Sequence, residues 1–417
     1  MKKFFNVLIA MCLLLSLGAC TLSANTTINA PSTEISGDTN NNTQNSTPNN
    51  GTVDVDDLQS VIEETCLKLE DSVIGVTLKE VTYKNPTTPS LGTVEKNVSV
   101  GSGVIIKREE IKDNNDKFIA YKYYVVTNRH VVLEDATTST VKFNIYAYLG
   151  NDDVEILADL VGYDAKVDVA LITFNHSELI EPVKIGSSAN LNKGSFAIAI
   201  GNPDGYDYYG SVTFGVISGP IRYIDVNTDD DEYNDFTASY IQHDVAINPG
   251  NSGGGLFDIH GNLIGINTLK LVASDIDNMG FAIPIDVVMT IVEDYLMKGI
   301  KIVRPRLGVL GIEIRALSTY DIEHSEDIMD LPDIYNGVKP YGIYVNQIYE
   351  NTSLDGFGIE KHDIILSIGD ITITRMNILT ARLNSLVDYQ VGDEVEVTFY
   401  DRSESQIKTV KVVLKGE

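Results

Sequence analysis

The run Ala246-Ile247-Asn248-Pro249-Gly250-Asn251-Ser252-Gly253-Gly254 places a serine hydroxyl in a turn of small residues, where the backbone can approach another molecule closely. A hydroxyl is a weak nucleophile unless a base removes its proton. The backbone N–H groups of Gly250 and Ser252 are placed to stabilise an oxyanion that forms beside it. Taken alone, the run is equally consistent with a glycine-rich turn between two strands. A base and its partner must therefore be sought elsewhere in the chain.

His130 is the candidate base, and Asp168 is the candidate residue that orients it. An apolar strand-like run ends at the polar cluster that contains His130, although a lone histidine there is more often structural. Asp168 enters a run of aliphatic residues, where a carboxylate is costly unless it accepts hydrogen bonds; orienting an imidazole would satisfy it. His243 is a rival base, but it lies too close to Ser252 along one strand to face it readily. The order His, Asp, Ser is that of chymotrypsin.

Five runs resemble the HtrA/Deg branch of the trypsin-like serine proteases over roughly residues 53–300. They are TNRHVV (127–132), VDVALI (167–172), GNPDG (201–205), INPGNSGGGLF (247–257) and GFAIPI (280–285). The resemblance implies two six-stranded β-barrels, with His130 and Asp168 on the first and Ser252 on the second. It also implies an ATP-independent endopeptidase that degrades unfolded or damaged exported proteins as a trimer or a larger homo-oligomer. Gly255 and His243 depart from the proline and threonine usual in the family, and neither change removes a catalytic atom.

The specificity and regulation of such a site are suggested by its neighbouring residues. By analogy with trypsin-like folds, Ala246 forms the base of the primary pocket and Ile247 lies next to it, so we expect small or medium aliphatic side chains to bind there. Asn251 stands where relatives activated by cleavage carry an aspartate. We therefore expect activity to be controlled by loop ordering, with candidate loops at Arg222–Thr237 and Lys270–Met279.

The spacing of apolar residues predicts a mostly β fold. Short β-branched runs alternate with turn signals between about residues 73 and 283, which is typical of barrels or sandwiches. Helical periods occur before this region, over Val53–Leu69, directly after it, over Pro284–Gly299, and again near Asn377–Leu386. We thus expect a double-barrel protease domain over residues 53–300.

Residues 301–417 are predicted to form a separate small α+β domain. Four runs resemble the PDZ domains attached to these proteases: Arg304–Val309, Gly342–Val345, Asp363–Gly369 and Gly392–Val395. The resemblance implies that C-terminal peptides add a strand to the sheet edge, with their carboxylate held by the N–H groups of Leu307, Gly308 and Val309. His362 replaces a glycine usual in relatives, and a plain β-rich accessory domain is the alternative.

The N-terminal 52 residues have the composition of an export signal and a tether. Residues 1–20 combine a basic start with an apolar run and end in Leu17-Gly18-Ala19-Cys20, which resembles a bacterial lipoprotein signal with lipid on Cys20. An ordinary secretory signal is the alternative. Residues 21–52 are rich in Asn, Thr and Ser and poor in aliphatic residues, as in disordered tethers. We therefore expect an extracytoplasmic protein anchored to the bacterial membrane.

Charge and motifs narrow the partners and cofactors. The net charge of −28 opposes binding to nucleic acid. The acidic loop from Asp225 to Asp235 begins like a calcium loop but lacks its glycine and its final glutamate, so a solvated loop is favoured. The sequence has no HExxH or CxxC motif and no histidine cluster, and we expect no metal or organic cofactor. Rival functions are a noncatalytic chaperone or peptide-binding scaffold, and an esterase, for which the GxSxG elbow is missing.

Overall fold

The computed structural model describes residues 55–416 except 86, 88–89, 91, 134–141, 151–153, 204, 227–235, 269–277, 317–330, 332–333 and 337. The predicted signal with Cys20 and the predicted tether lie outside the described residues. So do most of the acidic loop and most of both candidate regulatory loops. Within the described part of the chain, no helix is long and apolar enough to cross a lipid bilayer.

The first half of the chain folds into a closed antiparallel barrel. Its strands are β1 (Val73–Tyr83), β2 (Thr93–Lys112), β3 (Phe118–Asn128), β4 (Lys142–Tyr148), β5 (Glu155–Asp164) and β6 (Val169–His176). They close in the order β1-β2-β3-β6-β5-β4, so each strand has a partner on both sides and no edge is left open. Helix α1 (Val55–Leu69) leads into β1 through a short 3₁₀ turn, Glu70–Ser72.

A second set of strands follows. It comprises β7 (Lys184–Ile185), β8 (Phe196–Gly201), β9 (Ser211–Val226), β10 (Phe236–His243), β11 (Gly255–Phe257), β12 (Asn262–Thr268) and β13 (Gly280–Pro284). The order is β11-β8-β9-β10-β13-β12-β7, and β11 also pairs with β12. Six strands therefore close a second ring, and β7 lies parallel to β12 outside it. The mostly β, double-barrel fold expected from the sequence is confirmed.

One hydrophobic cluster contains side chains of both barrels, so packing fixes their relative position. Buried side chains of both barrels belong to this cluster, among them Val104, Val126, Leu171, Ile198, Phe257 and Ile283. Helix α2 (Arg129–Val132) is a single turn at the end of β3, facing the junction. Helix α3 (Ile285–Ile291) follows β13 and continues as a π-helical turn, Val292–Leu296, which covers the core from outside.

The remaining strands form a third sheet with its own core. They are β14 (Pro305–Arg306), β15 (Val309–Glu313), β16 (Ile343–Ile348), β17 (Ile364–Ile368), β18 (Ile371–Thr372), β19 (Glu394–Asp401), β20 (Gln406–Val413) and β21 (Lys415–Gly416). The main sheet runs β15-β16-β17-β19-β20, with β18 beside β17, whereas β14 pairs with β21. Helix α4 (Met376–Ser385) packs across this sheet and also contacts β9 and β10.

Buried polar contacts join the third sheet to the barrels. The guanidinium of Arg304 lies 2.6 Å from the carboxylate of Asp164 on the first barrel and also donates to the carbonyl of Asn384. The Asn384 amide in turn donates to the carbonyl of Thr237 on the second barrel, at 2.8 Å. The Asp164 side chain is 1% exposed and the Arg304 side chain 9% exposed, so each charge depends on the other for compensation.

The turn before β17 contains His362, at the position where the resemblance to PDZ domains implies a glycine. His362 has φ = 80°, a left-handed conformation that glycine adopts without strain. Its backbone N–H donates to the carbonyl of Val345, and its Nδ1 lies within hydrogen-bonding distance of the Tyr344 hydroxyl. His362 therefore adopts a backbone conformation that glycine favours, and both its backbone N–H and its ring have hydrogen-bond partners.

Candidate active site

His130 is placed by the end of strand β3. The strand leaves the first barrel at Asn128, and the chain then makes the single helical turn α2. The Asn128 side-chain amide and the Arg129 N–H both donate to the backbone carbonyl of Asp168, at 3.0 and 3.1 Å. These bonds hold the His130 segment against the β5–β6 connection, where Asp168 lies.

Asp168 binds His130 through both carboxylate oxygens. Oδ1 accepts from the His130 backbone N–H at 3.0 Å, and Oδ2 lies 2.6 Å from the imidazole Nδ1. Since an ionised carboxylate can only accept, Nδ1 carries the proton, and the Nε2 of a neutral imidazole is left as an acceptor. Asp168 is 3% exposed, whereas the His130 side chain is 29% exposed and can reach a substrate. The pair thus has the polarity that a general base requires.

The backbone of Asp168 is itself unusual. Its φ is 59°, in the left-handed region where aspartate and asparagine are enriched among non-glycine residues. From the second barrel, Tyr240 lies close to this carboxylate: burial raises the pKa of the Tyr240 hydroxyl, and the negative charge of Asp168 raises it further. The charge of Asp168 therefore acts on a residue of the second barrel.

The serine turn begins with a tight reversal at Asn248–Asn251. The Asn251 N–H donates to the carbonyl of Asn248 at 2.9 Å, and Gly250 has φ = 100°. Proline at the second and glycine at the third position are the residues a type II turn favours. The run Asn248-Pro249-Gly250-Asn251 therefore encodes its own geometry and delivers Ser252, which is 4% exposed, to the barrel junction.

Gly253, the next residue, fits only because it has no side chain. A Cβ atom there would lie 2.1 Å from the carbonyl oxygen of Ser102 and 2.3 Å from the Oγ1 of Thr127, and its φ is 84°. Thr127 belongs to the strand that ends just before His130. The backbone of the serine turn thus touches the strand that leads to the histidine.

Gly101 completes the approach of the three predicted residues. A Cβ at Gly101 would lie 2.7 Å from both methyl groups of Val131 and 2.9 Å from the Ser252 carbonyl oxygen. Val131 directly follows His130, so the histidine turn and the serine turn meet across this glycine. The structure places His130 in direct contact with Asp168 and brings the Ser252 backbone to the same junction.

The residues predicted for the primary pocket lie just before this turn. The side chain of Ala246 is exposed, and its carbonyl accepts from the Thr213 hydroxyl at 3.0 Å. Ile247 is half-buried and packs against the core of the second barrel. A cavity of about 400 Å³ adjoins the turn and is lined by Pro203, Tyr208, Ser211, Asn248 and Pro249. Its lining was not anticipated from the sequence.

The residues predicted to hold a peptide carboxylate line a second cavity, on the third sheet. Leu307, Gly308 and Val309 border a space of about 300 Å³, closed on the other side by helix α4. Gly308 has φ = 75°, and a Cβ there would lie 2.0 Å from the Cβ of Thr352. The loop therefore requires glycine at this position.

His243, the rival base, has no exposed surface through which to reach a substrate. It is fully buried on β10, and its Cε1 would lie 2.3 Å from a Cβ built on Gly280 of β13. Burial lowers the pKa of this imidazole to about 4. The pairing with Asp168 is made by His130 instead.

Among the residues that the structure describes, no three His, Cys, Asp or Glu side chains lie together in a way that could hold a metal ion. In the acidic loop, Asp225 accepts a hydrogen bond from the Thr237 hydroxyl at 2.7 Å. The following loop residues, 227–235, lie outside the described residues.

Sequence reasoning missed the polar residues that surround the serine turn, above all Ser102 and Asn202. Ser102 donates from its hydroxyl to the carbonyl of Gly250, and its hydroxyl accepts from the Asn202 backbone N–H. The signal available was the triplet Gly101-Ser102-Gly103, in which two glycines flank a buried serine inside a strand, a pattern typical of close backbone approach.

The chain is similar to known serine proteases. Residues 101–266 match the family described as "Trypsin-like peptidase domain". The chain is 30% identical over 361 residues to "Serine protease Do-like HtrA" of Bacillus subtilis, covering 86% of this chain and 74% of that protein. It is 33% identical over 331 residues to "Serine protease Do-like HtrA" of Lactobacillus helveticus, covering 76% and 69%.

Solved structures show the same fold. The chain matches "HtrA-type protease AlgW with decapeptide" with a TM-score of 0.58 at 23% identity, over 85% of this chain and 98% of that one.

The buried His243 predicts a specific loss of stability in acid. Because its pKa falls from 6.5 to about 4 on folding, the unfolded chain binds the proton more readily between these values, and stability decreases as pH falls through the window. The displacement corresponds to roughly 3 kcal/mol, most of it lost by pH 4.5. Urea unfolding at pH 7 and pH 4.5 should show a much smaller decrease for His243→Thr than for the wild type.

The matched control is His260→Thr, since His260 is exposed in a turn. It should keep the wild-type pH dependence. Equal acid sensitivity of His243→Thr and the wild type would contradict the assignment.

Proposed function

The chain belongs to the HtrA/Do family of trypsin-like serine proteases and is a serine endopeptidase, in which we propose that Ser252 is the nucleophile, His130 the general base and Asp168 the residue that orients it. The observation that carries this proposal is the 2.6 Å contact between Asp168 and the Nδ1 of His130, at the junction where the Ser252 backbone lies. His130 Nε2 is then the atom available to take the hydroxyl proton.

The proposed reaction follows from these positions. His130 removes the proton of the Ser252 hydroxyl as its oxygen attacks the substrate carbonyl, and the N–H groups of Gly250 and Ser252 stabilise the oxyanion. Asp168 stabilises the imidazolium that forms. His130 then protonates the leaving amine, and the acyl group on Ser252 is hydrolysed by a water molecule that His130 activates. The cycle consumes no nucleotide, consistent with an ATP-independent protease.

The substrates we propose are unfolded or damaged exported proteins, cut next to small or medium aliphatic residues. Ala246 and Ile247 offer no charge to attract a basic side chain, which supports an aliphatic preference. Folded proteins bury most such residues, so a site of this kind selects unfolded chains.

A second proposed function, peptide binding, belongs to the groove beside Leu307, Gly308 and Val309. The groove lies between strand β15 and helix α4, whose side chains Met376 and Leu379 give it an apolar wall. An extended peptide can add to the sheet edge there, with its terminal carboxylate against the backbone N–H groups. The AlgW protease, which has a similar fold, was solved with a decapeptide, and this supports peptide binding by the family fold.

The proposed location is the outer face of a bacterial membrane, with lipid on Cys20, and the proposed assembly is a trimer or larger homo-oligomer. The location is supported by Leu17-Gly18-Ala19-Cys20 at the end of the apolar leader, and the assembly by the family resemblance alone.

The lipid proposal predicts that Cys20→Ala abolishes membrane retention, because the thiol that would carry the lipid is lost. Fractionation of cells that express each form measures it, and unchanged retention would contradict it.

Replacing Ser252 is the direct test of proteolysis. Ser252→Ala should lower the rate of casein hydrolysis by a factor on the order of 10⁶, because the nucleophile is lost. The rate of peptide release is the measurement, and Ser403→Ala, at an exposed serine in the hairpin between β19 and β20, should retain full activity.

Equal turnover by Ser252→Ala and the wild type would remove the catalytic assignment. Casein binding that survives in Ser252→Ala would instead support a chaperone or scaffold function in addition to proteolysis.

The peptide-binding proposal predicts dependence on a free carboxylate. An aliphatic peptide with a free C-terminus should bind Ser252→Ala at least about tenfold more tightly than its C-terminal amide, because the charge strengthens the hydrogen bonds from the loop. Fluorescence anisotropy with the two peptides, identical otherwise, measures the difference. Equal affinities would refute capture of the carboxylate at Gly308.

A further inference from the structure

Ser102 occupies the contact between the first barrel and the serine turn. It lies on β2, is fully buried and uses all of its polar groups. Its backbone N–H donates to the Ser252 carbonyl at 2.8 Å, and its hydroxyl donates to the Gly250 carbonyl at 2.7 Å. The same hydroxyl accepts from the backbone N–H of Asn202 at 2.8 Å, so its own orientation is fixed.

These two donated bonds hold the peptide groups on either side of the Ser252 N–H, one of the two proposed oxyanion donors. The Gly250 carbonyl belongs to the peptide joining residues 250 and 251, and the Ser252 carbonyl to the peptide joining residues 252 and 253. Between them lies the peptide whose N–H is that of Ser252. With both neighbours held, this N–H has little freedom to rotate, although the flanking Gly250 and Gly253 would by themselves permit other conformations.

We propose that Ser102 is a positioning residue for the oxyanion-stabilising N–H groups of Gly250 and Ser252. The inference rests on the function proposed above and adds the residue that sets the direction of its hydrogen-bond donors. Electrostatic stabilisation depends on donors that are fixed before the reaction, so loss of the Ser102 hydroxyl reduces stabilisation of the tetrahedral intermediate more than substrate binding.

The rest of the contact supports a requirement for a small polar side chain. The Ser102 carbonyl accepts from the Thr127 hydroxyl at 2.6 Å, which ties the site to the strand preceding His130. A Cβ on Gly201 would lie 3.1 Å from the Ser102 hydroxyl. In Ser102→Ala, the Gly250 carbonyl and the Asn202 N–H lose this partner in a buried place, which favours reorientation of the turn.

The control is Ser72→Ala, which removes an equivalent hydroxyl elsewhere. Ser72 is 3% exposed and donates to the backbone carbonyl of Glu181 at 2.7 Å, outside the serine turn. Both alanine variants lose a hydrogen bond to a backbone carbonyl, and Ser102→Ala also loses the bonds from Asn202, so it is expected to be the less stable of the two. A difference in catalysis between them reports on position.

Three readouts separate positioning from general damage. They are kcat and KM for a fluorogenic peptide with valine at the cleavage site, the affinity for a valine boronic acid peptide, and the affinity for the uncleaved peptide. The boronate forms a tetrahedral adduct with the serine and uses the oxyanion donors, whereas the uncleaved peptide does not. The uncleaved peptide is measured on Ser252→Ala with and without Ser102→Ala.

For Ser102→Ala we expect kcat and boronate affinity to fall about 10- to 100-fold, with KM and uncleaved-peptide affinity within about threefold of their reference values. Ser72→Ala should keep the wild-type kcat. Ser102→Thr retains a hydroxyl on the same Cβ. If Ser102→Ala lowers kcat by more than about tenfold, the kcat of Ser102→Thr should be at least about tenfold higher than that of Ser102→Ala.

The inference is overturned if kcat for Ser102→Ala equals that of Ser72→Ala, or if peptide and boronate affinities fall together. If Ser102→Ala does not fold, Ser102→Thr decides the question. A kcat near that of the wild type supports the inference. A lower kcat, with the ratio of boronate affinity to uncleaved-peptide affinity unchanged, overturns it. The difference in casein hydrolysis between the wild type and Ser252→Ala tests the proposed function separately, whatever the Ser102 variants show. If that difference is absent, the proposed function fails, and this inference fails with it.

Discussion

The hydrogen bond between the Ser102 N–H and the Ser252 carbonyl links two barrels through residues 150 positions apart in the sequence. A turn made of glycine and small polar residues has few side chains with which to fix its own shape. Its geometry must therefore be supplied by neighbouring backbone, and the shared core between the barrels keeps that backbone in place. Gly101 and Gly253 permit this close contact, because a side chain at either position would push strand β2 and the serine turn apart.

The same junction solves the problem of a buried carboxylate. Asp168 is almost completely enclosed, and a charge in such a place is costly without hydrogen bonds to each oxygen. The backbone N–H and the imidazole of His130 provide them, one to each carboxylate oxygen. Stability and orientation therefore have a common origin: the contacts that make the carboxylate tolerable are those that fix the imidazole and its proton.

Local patterns are sufficient for the fold class but not for the contacts between distant segments. The β-branched runs around Gly101–Lys107 and Tyr121–Thr127 lie inside strands β2 and β3, because hydrophobic patterning within a few residues reflects burial. The Pro284–Gly299 period predicts one regular helix, whereas α3 ends at Ile291 and a π-helical turn follows. The spacing of apolar residues does not distinguish the hydrogen-bond pattern of an α-helix from that of a π-helical turn.

For the site, the sequence supplied the three chemical groups and their order along the chain. The left-handed backbone of Asp168 was not foreseen, and neither were the hydrogen bonds that its carbonyl and carboxylate accept from Arg129 and His130. The role of Ser102 was equally hidden, because its partners Asn202 and Gly250 are far away in sequence. Such contacts depend on how the barrels pack, and no short motif records that.

The ion pair between Arg304 and Asp164 has a practical consequence for anyone who shortens this protein. A polypeptide ending at residue 303, intended as a minimal protease, would keep a carboxylate that is 1% exposed in the whole protein but lose its cation. It would also lose the Asn384 amide, which donates to the backbone carbonyl of Thr237 on strand β10. Truncation therefore also changes the surface of the protease barrels, and altered behaviour of the fragment cannot be attributed to loss of the cavity beside Gly308 alone.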